Sequence, residues 1–72
     1  MNKEIDIEDL FKYHKPDNDQ IDRYDVIREE ALELADVILF NTPQGEDQDA
    51  AIRKLRECVM FANASIALRG KR

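Results

Sequence analysis

The sequence predicts an all-α fold: a short N-terminal helix followed by a long antiparallel helical hairpin, assembled as a homo-oligomer. Three observations point there. Apolar residues recur three and four apart through two stretches of about 23 residues each, which is the helical period. The segment "NTPQGE" divides those stretches with a proline and a glycine two residues apart. Each stretch also carries more apolar positions than the single seam of a hairpin can cover.

The first element is "IDIEDLFKYH", in which Ile7, Leu10 and Phe11 share one side of two helical turns. Pro16 stops it and biases Lys15 toward an extended backbone. Asp17 then reads as an N-cap with Gln20 three residues on, a capping-box pattern, and Asp19 and Asp22 suit the positive end of a helix. The second helix should run from Asn18 to Asn41, with Tyr24, Ile27, Ala31, Leu34 and Ile38 as its packing seam. A second stripe, Leu32, Ala35 and Leu39, runs beside it, widened by Val37 and Phe40.

Asn41 is the expected C-cap, and Pro43 and Gly45 make the turn over 42–46. The third helix is expected over 47–70, closing on Arg69 and Gly70. Its seam is Ile52, Leu55, Val59, Ala62 and Ile66, with Met60, Phe61, Ala64 and Leu68 as the surplus set. Ala62, Ala64, Ser65 and Ala67 allow close helix approach. Helices about 35 Å long joined by a short turn lie antiparallel. The short first helix, in residues 1–16, covers only part of the surplus, so further copies of the chain are expected to cover the rest. The whole chain, 1–72, forms one domain.

Composition narrows the function. The net charge of -5 divides unevenly: residues 1–50 hold 5 Lys/Arg against 15 Asp/Glu, and residues 51–72 hold 6 against one. That balance argues against a nucleic-acid polymer as partner but leaves room for a small anion in a local basic site. It equally suits an acidic helix lying beside a basic one. No apolar run nears the ~20 residues of a membrane span, and the N-terminus lacks a signal-peptide pattern. A cytoplasmic location is the expectation. The lone Cys58 forms no intrachain disulfide and reads as a small core residue.

Catalytic patterns are scarce. His14 is the only histidine, and the two glycines exclude a phosphate loop. Glu30, Glu33 and Asp36, three apart, resemble the acidic helix of MazG-type nucleotide pyrophosphatases. Past its first turn the next helix offers only Glu57, among Arg53, Lys54 and Arg56. A hard cation needs several oxygen ligands, so no metal site is complete and a solvated face is favoured. A pyrophosphatase fragment and a helical scaffold stand as the alternative readings.

"FKYHKP", residues 11–16, admits two explanations. Phe11 can anchor the short helix and Tyr13 brace the junction. Alternatively, the Tyr13 ring beside Lys12, His14 and Lys15 is a stacking surface flanked by cations, suited to a base next to a phosphate. Arg28 begins the second stripe of the long helix, about 15 Å from the junction, so Tyr13 meets the Arg28 of another copy more readily than its own. Arg69 continues the Val59–Ala62–Ile66 seam. There it either snorkels to water or joins a basic ring around a symmetry axis.

"F-x-Y-H-x-P", "Q-x-x-R-Y-x-x-I-R", "A-x-E-L-A" and "V-M-F-A-N-A-x-I-A", in that order, resemble the phage anti-CBASS sponge proteins from Phe11 onward. The resemblance implies a non-enzymatic helical homohexamer, without cofactor, that sequesters cyclic oligonucleotides and silences CBASS effectors. It implies separate pockets for cyclic dinucleotides and cyclic trinucleotides. Tyr13 matches the base-stacking tyrosine of the dinucleotide pocket, with Lys12 and His14 beside it, and Arg28 falls where the family carries a basic side chain, often lysine. Arg69, with Ser65, falls near the trinucleotide pocket, although "IALRG" departs from the "IAR" ending of many members.

Overall fold

The computed structural model describes residues 7–13 and 15–70, which form α1 (Ile7–Phe11), α2 (Asn18–Asn41) and α3 (Glu46–Ala67). No strand occurs among the described residues. α2 and α3 make the expected hairpin. At the start of α2, Asp17 is extended, with φ -88° and ψ 175°. Its Oδ1 accepts the Gln20 backbone N–H at 2.8 Å, and Gln20 Oε1 accepts the Asp17 N–H at 3.1 Å. Both halves of the capping box are present, so two N–H groups that the helix cannot satisfy internally are bonded.

The C-cap of α2 is Thr42 rather than Asn41. Pro43 disfavours helical geometry at the residue before it, and Thr42 is accordingly extended at φ -129° and ψ 147°. Asn41 stays helical and its Nδ2 donates to the Val37 carbonyl at 2.7 Å. The Thr42 hydroxyl donates to the Ile38 carbonyl, also at 2.7 Å. Gln48 Nε2 reaches back from α3 to the Thr42 carbonyl at 3.1 Å, closing the turn. α3 begins at Glu46, inside the segment expected as turn, with Glu46, Asp47 and Asp49 at its positive end.

α3 ends at Ala67, three residues before Gly70, so Arg69 is outside the helix and does not continue the seam. The Arg69 N–H donates to the Ile66 carbonyl at 3.1 Å and the Gly70 N–H to the Ser65 carbonyl at 2.9 Å. This pair of bonds is a Schellman closure, which needs a left-handed residue just past the cap. Arg69 occupies that position with φ 53°, where glycine is usual, and Gly70 follows at φ 77°.

The seam residues Ile27, Ala31, Ile38, Ile52, Leu55, Val59, Ala62 and Ile66 face one another half-buried. Leu34, placed in that seam by its spacing, lies on the rim at 48% exposure. Cys58 is exposed rather than in a core. Both corrections share a cause: two helices cover only the line where they touch. Among the described residues the one buried side chain is Gln20, and its Nε2 donates across the pair to the Ile66 carbonyl at 2.9 Å. α1 packs against neither long helix. The chain exposes 6348 Å², against about 4,600 Å² for a compact monomer of its mass.

Candidate ligand-binding site

Arg28 sits ten residues into α2, about 15 Å along it. It borders an open groove of 290 Å³ between the long helices. Leu32 and Ala35 of α2 and Leu55, Arg56 and Met60 of α3 complete the part that matters here. The floor is apolar and the charges on its walls are two guanidiniums. Arg28 Nη2 donates to Asp25 Oδ1 at 2.7 Å, and both side chains stay solvated. Arg56 has no ion pair among the described residues.

Tyr13 is 80% exposed and Phe11 82% exposed. Neither ring anchors or braces anything within the chain, which removes the packing explanation of "FKYHKP" for a single copy. Lys12 and Lys15 are exposed as well. His14 lies outside the described residues. Tyr13 is not among the residues lining the Arg28 groove, so one copy does not bring ring and guanidinium together.

Ser65 and Arg69 do come together. They border a second depression of 380 Å³, at the open end of the hairpin, with Arg23, Asp17, Asp19 and Gln20. Arg23 and Arg28 are five residues apart, about 140° around the helix, so the two regions lie on different sides of the hairpin. Arg69 Nη2 donates to Asp17 Oδ2 at 3.1 Å, and Arg23 Nε donates to Asp19 Oδ2 at 3.0 Å. The Gln20 N–H, and after it the Arg69 guanidinium, hold the Asp17 carboxyl below its ordinary 3.8, against a smaller opposing effect of desolvation. Two carboxylates thus balance two guanidiniums. An incoming phosphate has to displace them, and exposed pairs of this kind resist by only about 0.2–1 kcal/mol each.

Glu30, Glu33 and Asp36 are all exposed along α2. Among the described residues no three His, Cys, Asp or Glu side chains gather closely enough to hold a metal ion. No described helix is long and apolar enough to cross a membrane.

A family model, the Acb2/Tad1 hairpin domain, matches residues 3–67. The chain belongs to the Acb2/Tad1 hairpin family. These are the anti-CBASS sponges that the sequence motifs resemble, and membership suggests anti-CBASS sponge function for this chain. No curated protein and no solved structure matches it. The Acb2/Tad1 match includes Tyr13, Arg28 and Ser65 and stops before Arg69.

Two cations at these sites escaped the sequence reading of this Acb2/Tad1 hairpin. Arg56 stands four residues after Ile52 and four before Met60, a spacing that places it on the groove wall, yet it drew notice only as a neighbour of Glu57. Arg23 was noted only as part of a motif. Its place beside Arg69 depends on how the ends of α2 and α3 meet, which no local pattern encodes.

Proposed function

We propose that the protein is an anti-defence sponge that binds cyclic oligonucleotide second messengers without hydrolysing them, in the cytoplasm of an infected bacterium. The observation that carries this reading is the family match over residues 3–67. The ligands are cyclic dinucleotides, with Tyr13 stacking on a base, Lys12 and His14 beside it, and Arg28 holding a phosphate. Arg69 and Ser65 form a separate place for a cyclic trinucleotide.

The working unit is a homo-oligomer, a hexamer by family likeness. Surplus exposed surface supports assembly: Phe40 is 88% and Phe61 75% exposed, and no apolar side chain among the described residues is fully buried. A cyclic dinucleotide has two phosphates, two bases and near two-fold symmetry. A pocket between two copies, each giving one ring and one guanidinium, matches that symmetry. Stacking contributes about 1–3 kcal/mol per base and a charged hydrogen bond about 1.5–3 kcal/mol, enough for tight binding after association costs.

The direct test mixes the protein with 3′,3′-cGAMP, removes it by filtration and analyses the ligand. Depletion from the filtrate, with intact ligand returning after heat denaturation, supports a sponge. Recovery of cleaved ligand would instead show an enzyme.

A further inference from the structure

We infer that the groove walled by Arg28 and Arg56 is the seat of α1 from a second copy of the chain, which delivers Tyr13 to the Arg28 guanidinium. The part concerning Tyr13 rests on the proposed function; the docking itself does not.

Three properties of α1 match this groove. Ile7, Leu10 and Phe11 form one apolar stripe at the i, i+3, i+4 spacing, and all three are exposed. The groove floor between Leu32 and Met60 is apolar and equally uncovered. The segment around the stripe is acidic, with Glu4, Asp6, Glu8 and Asp9 against Lys3 alone, whereas the charged walls of the groove are both cationic. The groove on the other side of the hairpin, bordered by Leu34 and Cys58, has Glu30 as its charged lining residue and would repel the same segment. Charge therefore selects between the two grooves.

The occupant is another copy because α1 stands off its own hairpin, touching neither α2 nor α3. Arg28 is held by Asp25, while Arg56 is unpaired among the described residues. Arg56 is accordingly the partner for Glu8, which flanks the α1 stripe by helical geometry. That leaves Arg28 at the end of the seated helix, where Tyr13 emerges.

Disulfide trapping tests the seat without any nucleotide. In a Cys58→Ser background, a Leu10→Cys chain is mixed with a Met60→Cys chain and oxidised, and linked peptides are identified by mass spectrometry. A 10–60 cross-link between chains is expected. Its absence, or closure of the 10–60 bond within single chains of the double variant, overturns the proposal. A charge reversal supplies the second arm. Arg56→Glu should raise the concentration at which the assembly dissociates by about tenfold, and Glu8→Arg in the same chain should restore it, with helicity unchanged throughout. Loss that Glu8→Arg does not reverse places α1 elsewhere. A trapped pair that retains no 3′,3′-cGAMP would sink the sponge reading while leaving the docking intact, and retention without trapping does the opposite.

Discussion

Arg69 Nη2 lies 3.1 Å from Asp17 Oδ2, so the residue that reverses the chain after α3 is tied to the residue that caps α2. Asp17 thus serves two partners at once. Replacing it by Asn keeps the cap, because Asn caps as well as Asp, but removes the charge that Arg69 meets. Asp17→Asn is expected to melt close to the parent at pH 7, while Asp17→Ala, which loses the cap too, melts lower by circular dichroism.

The same carboxylate predicts an acid dependence. Its pKa is lowered on folding, first by the Gln20 N–H and then by Arg69. Stability from this group is therefore present above the ordinary 3.8 and lost as pH falls through the lower folded value. In thermal melts between pH 5 and pH 2, Asp17→Asn should show a shallower decline than the parent. Parallel curves would show that the pairing contributes nothing.

Gln20 is the one buried side chain among the described residues, and it bonds both to its own cap and to the Ile66 carbonyl on the neighbouring helix. Gln20→Leu removes both bonds at once. The expected loss is about 1–3 kcal/mol, a fall in Tm of several degrees for a chain of this size. A variant as stable as the parent would mean that the open end of the hairpin is held by something else.

Arg69 offers a separation of stability from binding. Glycine relieves the left-handed backbone by about 1 kcal/mol, which offsets the loss of an exposed ion pair worth about 0.2–1 kcal/mol. Arg69→Gly should keep the parent Tm yet bind cyclic trinucleotides about 10- to 100-fold more weakly in calorimetry. Dinucleotide affinity should not change, because Arg28 lies on a different side of the hairpin.

Tyr13→Ala is expected to weaken cyclic dinucleotide binding by about 5- to 150-fold, the equivalent of one stacked base. Light scattering should still return the parent's assembly mass, well above the 8.4 kDa of one chain. A parent mass near 8.4 kDa at micromolar concentration would remove the shared pocket altogether.

Much of this architecture was readable in advance, for physical reasons that differ from place to place. The capping box at Asp17 and Gln20 is a contact between residues three apart, so its signal is local. The hairpin follows from two long apolar periodicities around Pro43. Thr42 displaced Asn41 as the cap because proline constrains its predecessor, a rule the sequence displays but the choice of Asn41 neglected. Cys58 and Leu34 misled because periodicity tells which face is apolar and is silent on how wide a face gets covered.

Chain order alone was enough for three helices, their caps at the start of α2, and the motifs that mark the family, since each rests on interactions within a few residues. The long-range arrangement was needed to set Arg69 on Asp17, to put Arg56 opposite Arg28, and to turn the Arg28 and Arg69 regions to different sides. Those relations join residues tens of positions apart. They depend on the rotation and offset of one helix against another, which side-chain packing selects and helical spacing leaves open.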